Sequence, residues 1–355
     1  METRTRVHVL ALALASAIVF GGAAAQAREI IVSGSIQSAV NAARPGDRVR
    51  APAGTYRECV TVTLDDITLS GAPLAILDGT GLSCDTGVRA APSPGHSTIR
   101  GFRLDGFQVR HYSQNGVLVE HGTDFRIASG RESFNGQYGI FALRSSNGVI
   151  EDNRVSDSDD TGIYVGQSSS VVVRRNSVTE STVGIEIENT VGARVQGNRA
   201  FGNSTGILVD VLPGLETTET SRVTISENIL IANNRPNPVT DPEDILALLP
   251  AGVGLLNVGG DDLEITGNLA SGNDSAGIAI VQLPPGAAAL DPRIDPFPDR
   301  NVVRENVCLG NGGNVDPKFA PLPAADLVWD TSGTGNCWRN NLARTRFPDP
   351  LPACR

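Results

Sequence analysis

The chain holds 355 residues, with 39 acidic side chains against 29 basic ones and a formal charge of -10 at pH 7. That balance argues against nucleic acid as a partner, because phosphate binding needs clustered positive charge. No Walker loop, HExxH, CxxC pair or dinucleotide fingerprint occurs, so no cofactor is expected beyond a simple cation.

Residues 1–27 read as a secretory signal: Arg4 and Arg6, an apolar run from Val9 to Phe20, then the small-residue site Ala25-Gln26-Ala27. The apolar core is short for a bilayer and no second hydrophobic span follows, so the mature chain is expected to start at Arg28, without a membrane span, in the periplasm or outside the cell. Removing one Glu and two Arg takes the charge from -10 to -11. Residues 35–43 predict a one-faced helix, capped by Ser35 and apolar at Ile36, Ala39, Val40 and Ala43, that covers an exposed sheet edge. Strands near Val60–Val62, Ile67–Leu69 and Ala75–Leu77 form an opening coil.

Seven segments then begin Gly-(Ile/Val): GVLV, GIFA, GIYV, GIEI, GILV, GVGL and GIAI, with glycines at 116, 139, 162, 184, 206, 252 and 277. Most intervals are 22 to 25 residues, one coil of a solenoid. The first and third residues after each glycine are mostly apolar and point inward, and the residue between them is expected to face solvent. Asn153, Asn176, Asn198, Asn228, Asn268 and Asn306 close a second strand, with Ile150, Val173, Val195, Ile225, Ile265 and Val303 three residues earlier. A third strand begins with Val155, Val178, Ala200, Leu230, Ala270 and Cys308. Three strands per coil make an all-β parallel β-helix solenoid. The asparagines suit corners because they tolerate left-handed backbone and their amides can stack along the axis.

The repeats run from about residue 56 to 310. After Gly310 the pattern is lost in a Pro- and Gly-rich stretch with Phe319, Trp329, Trp338 and Phe347, read as an irregular C-terminal cap over about 311–355. Residues 28–355 are thus expected to form one domain. Five cysteines in an exported chain suggest disulfides. Cys59 and Cys84 are one coil apart and can bridge, and Cys337 and Cys354 can pin the tail. Cys308 falls in an inward column and is left free, with a Cys308–Cys337 bridge as the alternative.

Three insertions interrupt the repeats, at 206–228, around Arg235–Pro250 and near Pro284–Pro298, all adjoining the glycine-led strands. Loops gathered on one face of a solenoid mark a working face. On that face the outward columns read Leu118, Phe141, Tyr164, Glu186, Leu208, Gly254, Ala279 and Glu120, Leu143, Gly166, Glu188, Asp210, Leu256, Val281. Carboxylates converge at Glu186, Glu188 and Asp210, about 5 to 7 Å apart at the backbone. Either one pKa rises, giving a general acid beside a base or nucleophile, or a cation such as Ca²⁺ sits between them. With such a cation on a uronate carboxylate, Tyr164, Arg144 or His121 could take the adjacent C5 proton. The candidate catalytic residues are Glu186, Glu188, Asp210 and Tyr164. His121, Arg144, Gln167 and Asn189, next along each strand, are candidate substrate contacts, and a plain solvated acidic stripe is the competing reading. Asp157-Ser158-Asp159-Asp160 reads as a hydrophilic corner, as do Asp241, Glu243 and Asp244. His111 and Tyr112 read as packing or solvent-facing.

NGQYGIFAL, DTGIYVGQSSSVVVRRN, VGIEIEN, TGILVDVLPGL and PAGVGLLNVGGDDLEITGN, between Asn135 and Gln282, resemble a family of exported parallel β-helix proteins within the pectate-lyase-like superfamily. The resemblance implies a right-handed coil and export. It implies no reaction, because that family carries no assigned activity. SIQSAVNAARPGD and APAGTY are similar to the N-terminal cap of polysaccharide-acting β-helix proteins. The Asp-Pro-His-Asp of alginate epimerases is absent, and the basic and metal-binding pairing of pectate lyases has no residue-by-residue match. The expectation is an exported protein that binds a polysaccharide, uronate-containing ones included, and acts as lyase, epimerase or hydrolase. The alternative is a noncatalytic envelope scaffold for a second exported protein.

Overall fold

Each short Gly-Ile/Val strand has one apolar side and is too small to bury it alone, so strands of successive turns stack and share a core. The computed structural model describes residues 27–241 and 244–355. The expected signal segment, apart from Ala27, and Glu243 lie outside the described residues. Three long parallel sheets of 12, 11 and 11 strands run the length of the coil. The glycine-led sheet contains Asn115–Glu120, Tyr138–Leu143, Thr161–Gly166, Val183–Glu188, Thr205–Asp210, Val253–Val258 and Ala276–Val281. Ile163, Val165, Ile185, Ile187, Ile207 and Val209 are fully buried inside the coil. Each such side chain contributes about 1.5–3 kcal/mol of transfer free energy.

The leading glycines are required by a close approach of backbones. A Cβ on Gly184 would lie 2.5 Å from the Gly206 carbonyl oxygen, one on Gly206 2.5 Å from that of Gly254, and one on Gly254 2.5 Å from that of Gly277. This stacking corrects the register of the sixth repeat: Gly254, not Gly252, stands in line. Leu208 therefore pairs with Leu256 and Asp210 with Val258, while Asn257 pairs with Val209 and points inward, fully buried. Gly252 has φ +82° and belongs to the turn before the strand.

The asparagine column is real, but its reason differs from the expected one. The left-handed residues are Asp152, Arg175, Glu227 and Glu305, each immediately before a ladder asparagine. The asparagines themselves point inward, and each amide donates to the next: Asn153 to Asn176 at 3.0 Å, Asn176 to Asn198 at 3.1 Å, Asn198 to Asn228 at 3.0 Å, Asn228 to Asn268 at 2.9 Å, Asn268 to Asn306 at 3.0 Å. Each also donates to a backbone carbonyl, as Asn176 does to Ile150. A second ladder, not anticipated from sequence, links Asn203, Asn233, Asn273 and Asn311 and ends on Asp326. Such saturated columns fix the coil register, because a slipped strand would bury unpaired amides.

A helix at Ile36–Asn41 covers the first coil with Ile36 and Val40, and its N-terminus is held by Ser35 and by Glu58, which accepts from the Ile36 and Gln37 amides. Coiling starts earlier and ends later than the repeats alone suggest. Strands Glu29–Ile31 and Arg48–Ala51 precede residue 56, and Ala325–Trp329, Cys337–Arg339 and Leu342–Ala343 extend the three sheets past Gly310. Disulfides join Cys59 to Cys84 and Cys337 to Cys354, while Cys308 is a buried free thiol whose pKa burial pushes up. Among the described residues, no helix is long and apolar enough to cross a membrane.

Candidate functional site

The outward face of the glycine-led sheet was expected to meet solvent. Instead Tyr164, Glu186, Leu208, Leu256 and Ala279 are at most 8% exposed. The cause is a roof. The segment around Ile245–Leu248, from the second insertion, and the stretch around Phe319 fold over the sheet, so that Leu208, Leu249, Leu256, Ala279, Phe319 and Val328 form a second apolar core outside the coil. Between roof and sheet lies a cleft of about 680 Å³, reaching from Tyr138 to Asp330. It spans six strand spacings, roughly 29 Å along the axis.

One end of the cleft is acidic. Glu186, Glu188 and Asp210 bring carboxylate oxygens within 4.8 Å of one another. The register explains this, since Glu188 pairs directly with Asp210 and Tyr164 with Glu186. The Tyr164 hydroxyl donates to Glu188 Oε1 at 2.5 Å. Gly166 makes room for that ring, for a Cβ there would sit 2.9 Å from it. The Thr161 hydroxyl lies 2.5 Å from Glu186 Oε2 and 2.9 Å from Asp160 Oδ1. One hydroxyl proton cannot serve both, so one of the two acids must carry a proton of its own. Asp210 Oδ1 is buried and has no partner.

Burial pushes Glu186 and Asp210 well above the usual carboxylate range, and neighbouring carboxylates add to it: Asp210, Asp160 and Glu188 for Glu186, and Glu188 and Asp160 for Asp210. Glu188 is raised by burial to about 7, with the Tyr164 hydrogen bond opposing the rise. Asp160 is raised by burial to about 6, opposed by hydrogen bonds from Thr161 and Tyr138. No cation is among the main causes for any of the four, although Lys318 lines the same cleft. Burial and the nearby carboxylates push the Tyr138 and Tyr164 phenols up, so both act as donors. Tyr138, Phe141 and Tyr164 pack with ring centroids 4.6 to 4.9 Å apart and wall this end.

His121, Arg144, Gln167 and Asn189 all sit at the strand-ending corner with left-handed backbone, and none lines the cleft. Asn189 bonds the Leu212 amide and carbonyl and the Thr217 carbonyl. Gln167 accepts from the Glu216 amide, and Arg144 lies 3.8 Å from the Glu216 carboxylate. These three tether the first insertion, whose Leu212 does line the cleft. Tyr112 is core, with its hydroxyl donating to the Glu58 carbonyl, and His111 lies 3.3 Å from Asp78.

Sequence reasoning missed Asp160, read as a plain corner, together with Thr161 and Tyr138. Register alone places Thr161 beside Val183, one position before the leading glycine, and only the roof makes Asp160 part of a cleft wall. Asp244 also lines the cleft while capping the short helix through the Leu246 amide. Gly202-Asn203-Ser204-Thr205-Gly206 has the outline of a nucleophile elbow, yet Ser204 is fully buried at a coil corner.

A family model described as right handed beta helix region matches residues 115–284. Among solved structures, the A-module of the Azotobacter vinelandii mannuronan C-5 epimerase AlgE6 is similar, with TM-score 0.63 and 16% identity over 88% of this chain and 91% of that one. The periplasmic alginate epimerase AlgG gives TM-score 0.60 at 15% identity, covering 89% and 73%. XylC, in its complex with xylose, gives 0.55 at 9%, covering 76% and 66%. No curated protein matches the chain in sequence. At such identities the likeness is one of fold.

Proposed function

We propose that this chain, a right-handed parallel β-helix, is an exported member of the pectate-lyase-like superfamily that binds a polysaccharide along its axial cleft and acts on it by carboxyl acid–base chemistry. One observation carries the reading: Glu186, Glu188 and Asp210 bring carboxylate oxygens within 4.8 Å of one another, one oxygen of Asp210 unpartnered, in a cleft long enough for several sugars. Similarity of fold to polysaccharide-acting enzymes supports the substrate class by analogy.

Glu186 and Asp210, held protonated by burial, can donate to a glycosidic oxygen. Glu188, raised to about 7 and aligned by Tyr164, is the group able to act as base or nucleophile near neutrality. The close approach of the carboxyl oxygens is nearer to the ~5–5.5 Å of retaining glycosidases than to the wider inverting arrangement, so hydrolysis here would proceed with retention. The same three side chains fit a hard cation such as Ca²⁺, since all donors are carboxylate oxygens and one is otherwise unbonded. Bound there, calcium would neutralise a uronate carboxylate.

The test is a panel of neutral glycans and uronans, with and without calcium, read for reducing ends, unsaturated products and solvent deuterium at C5. Turnover lost in the Glu188→Gln, Asp210→Asn double variant supports the reading; neither binding nor turnover on any member sinks it. A second reading, a noncatalytic scaffold for a partner protein, draws on a different sheet. There the exposed Phe201, Ile231 and Leu342 continue a face that begins with Arg131, Arg154 and Arg199.

A further inference from the structure

The cleft has two chemically distinct halves. From Leu208 onward the floor is Leu208, Leu256, Val258 and Val281, the wall includes Leu283, and Phe319 closes the roof, with Gln282, Lys318 and Asp330 as the polar groups at the far end. An unsubstituted sugar chain over Leu208, Leu256, Val258 and Phe319 would leave most of its hydroxyls without partners, at a cost for each buried polar group. Yet the apolar half is continuous with the acid cluster, and the volume is that of a small-molecule site.

We infer that the apolar half of the cleft holds a hydrocarbon chain, and that the ligand is an amphipathic glycan: an uncharged sugar at Glu186, Glu188 and Asp210, carrying an acyl or alkyl group that lies between Leu256 and Phe319. This deepens the proposed function and rests on it for the sugar end. The register delivers the division, since the columns that carry Glu186, Glu188 and Asp210 continue as Leu208, Leu256, Val258 and Val281. Protonated Glu186 and Asp210 offer a donor and an acceptor to hydroxyls, whereas a carboxylate head would meet the charge of Glu188, which ionises near 7. Burying the chain removes apolar surface on both sides from water.

Isothermal titration calorimetry of the disulfide-intact protein with octyl glucoside below its micelle concentration, glucose and octanoate tests this. Octyl glucoside should bind at least tenfold more tightly than either, with a negative heat-capacity change. Leu256→Ser should weaken it about tenfold, the loss expected for one buried apolar contact. If that variant melts several degrees lower, Val281→Thr at the half-buried floor carries the same test. Equal affinity for octyl glucoside and glucose, or for octyl glucoside and octanoate, overturns the inference, as does no binding of octyl glucoside. The two readings fail separately. Turnover of an unsubstituted polysaccharide together with octyl glucoside binding no tighter than glucose removes the hydrocarbon site and leaves the acid chemistry, while Leu256-dependent binding of octyl glucoside without turnover of any glycan does the reverse.

Discussion

Glu151 and Glu186 are hidden alike, 5% and 4% exposed, on different sheets of one coil, and their carboxyls are driven in opposite directions. Burial pushes Glu151 up, but Arg174, Arg126 and Arg175 hydrogen-bond it and hold it at about 2. Burial pushes Glu186 up as well, and its other neighbours, Asp210, Asp160 and Glu188, push further. Supply of cations, not depth, separates the two. The pattern extends over the molecule: Asp47 has Arg28, Asp78 has Arg110 and Asp291 has Arg293. Among the described residues, no arginine pairs with the cleft acids, and the coil interior holds a further unpaired acid, Glu132, fully buried and likewise raised by burial. Glu132 shows that burial alone can keep one acid uncharged; the cleft differs in clustering Glu186, Glu188 and Asp210 along an open volume, where an arginine in the Leu208 position would stand directly beside Glu186.

The comparison can be broken at several points. The largest effect should come from the Glu188→Gln, Asp210→Asn pair, which is expected to lower glycan turnover by roughly 10²–10⁴-fold without lowering the melting temperature at pH 7.5. Glu151→Gln should leave turnover unchanged and cost about 1–2 kcal/mol at pH 7, discounted because its arginines are 36 to 51% exposed. The folded pKa of Glu151 is depressed, so its contribution is present above about 4.5 and lost as pH falls toward about 2; urea melts across that range read it out. Glu186→Gln should have the opposite sign. A raised folded pKa means that the unfolded chain ionises first, so wild-type stability falls as pH rises above about 4.5, with Glu188 completing its share near 7. Glutamine removes that penalty, and the variant should melt about 2–4 °C higher at pH 8 and equal to wild type at pH 4. Gln167→Ala should matter least, loosening the Glu216 loop and changing turnover within about twofold.

The coil was legible because every level agreed. Glycine spacing, inward isoleucines and asparagines three residues further on all repeat with one period, and one coil of strands is the arrangement that buries them together. Where two local patterns compete, the sequence is ambiguous. PAGVGLL offers Gly252 and Gly254 in the same motif, and only the contact of Gly206 with the Gly254 carbonyl chooses between them. The choice moved Leu256 into line with Leu208 and sent Asn257 inward. Asparagine was placed at the corners for a backbone reason, whereas the backbone turn is carried by the preceding residue and the amide serves the ladder. The acidic trio followed from register, since Glu188 and Asp210 are lateral neighbours whatever covers them. Their burial did not follow, because the roof is built from Leu249 and Phe319, in segments outside the repeat. Without the roof Asp160 looks like any hydrophilic corner; beneath it, the same carboxyl faces Glu186 through Thr161.

Carbon-13 NMR titration of the side-chain carboxyls between pH 3 and 9 measures the claim itself. A cleft carboxyl with a midpoint near 7, absent from Glu188→Gln, together with a Glu151 signal that stays ionised to the acid limit, is the predicted result. Midpoints near 4 for every glutamate and aspartate of the cleft would contradict it.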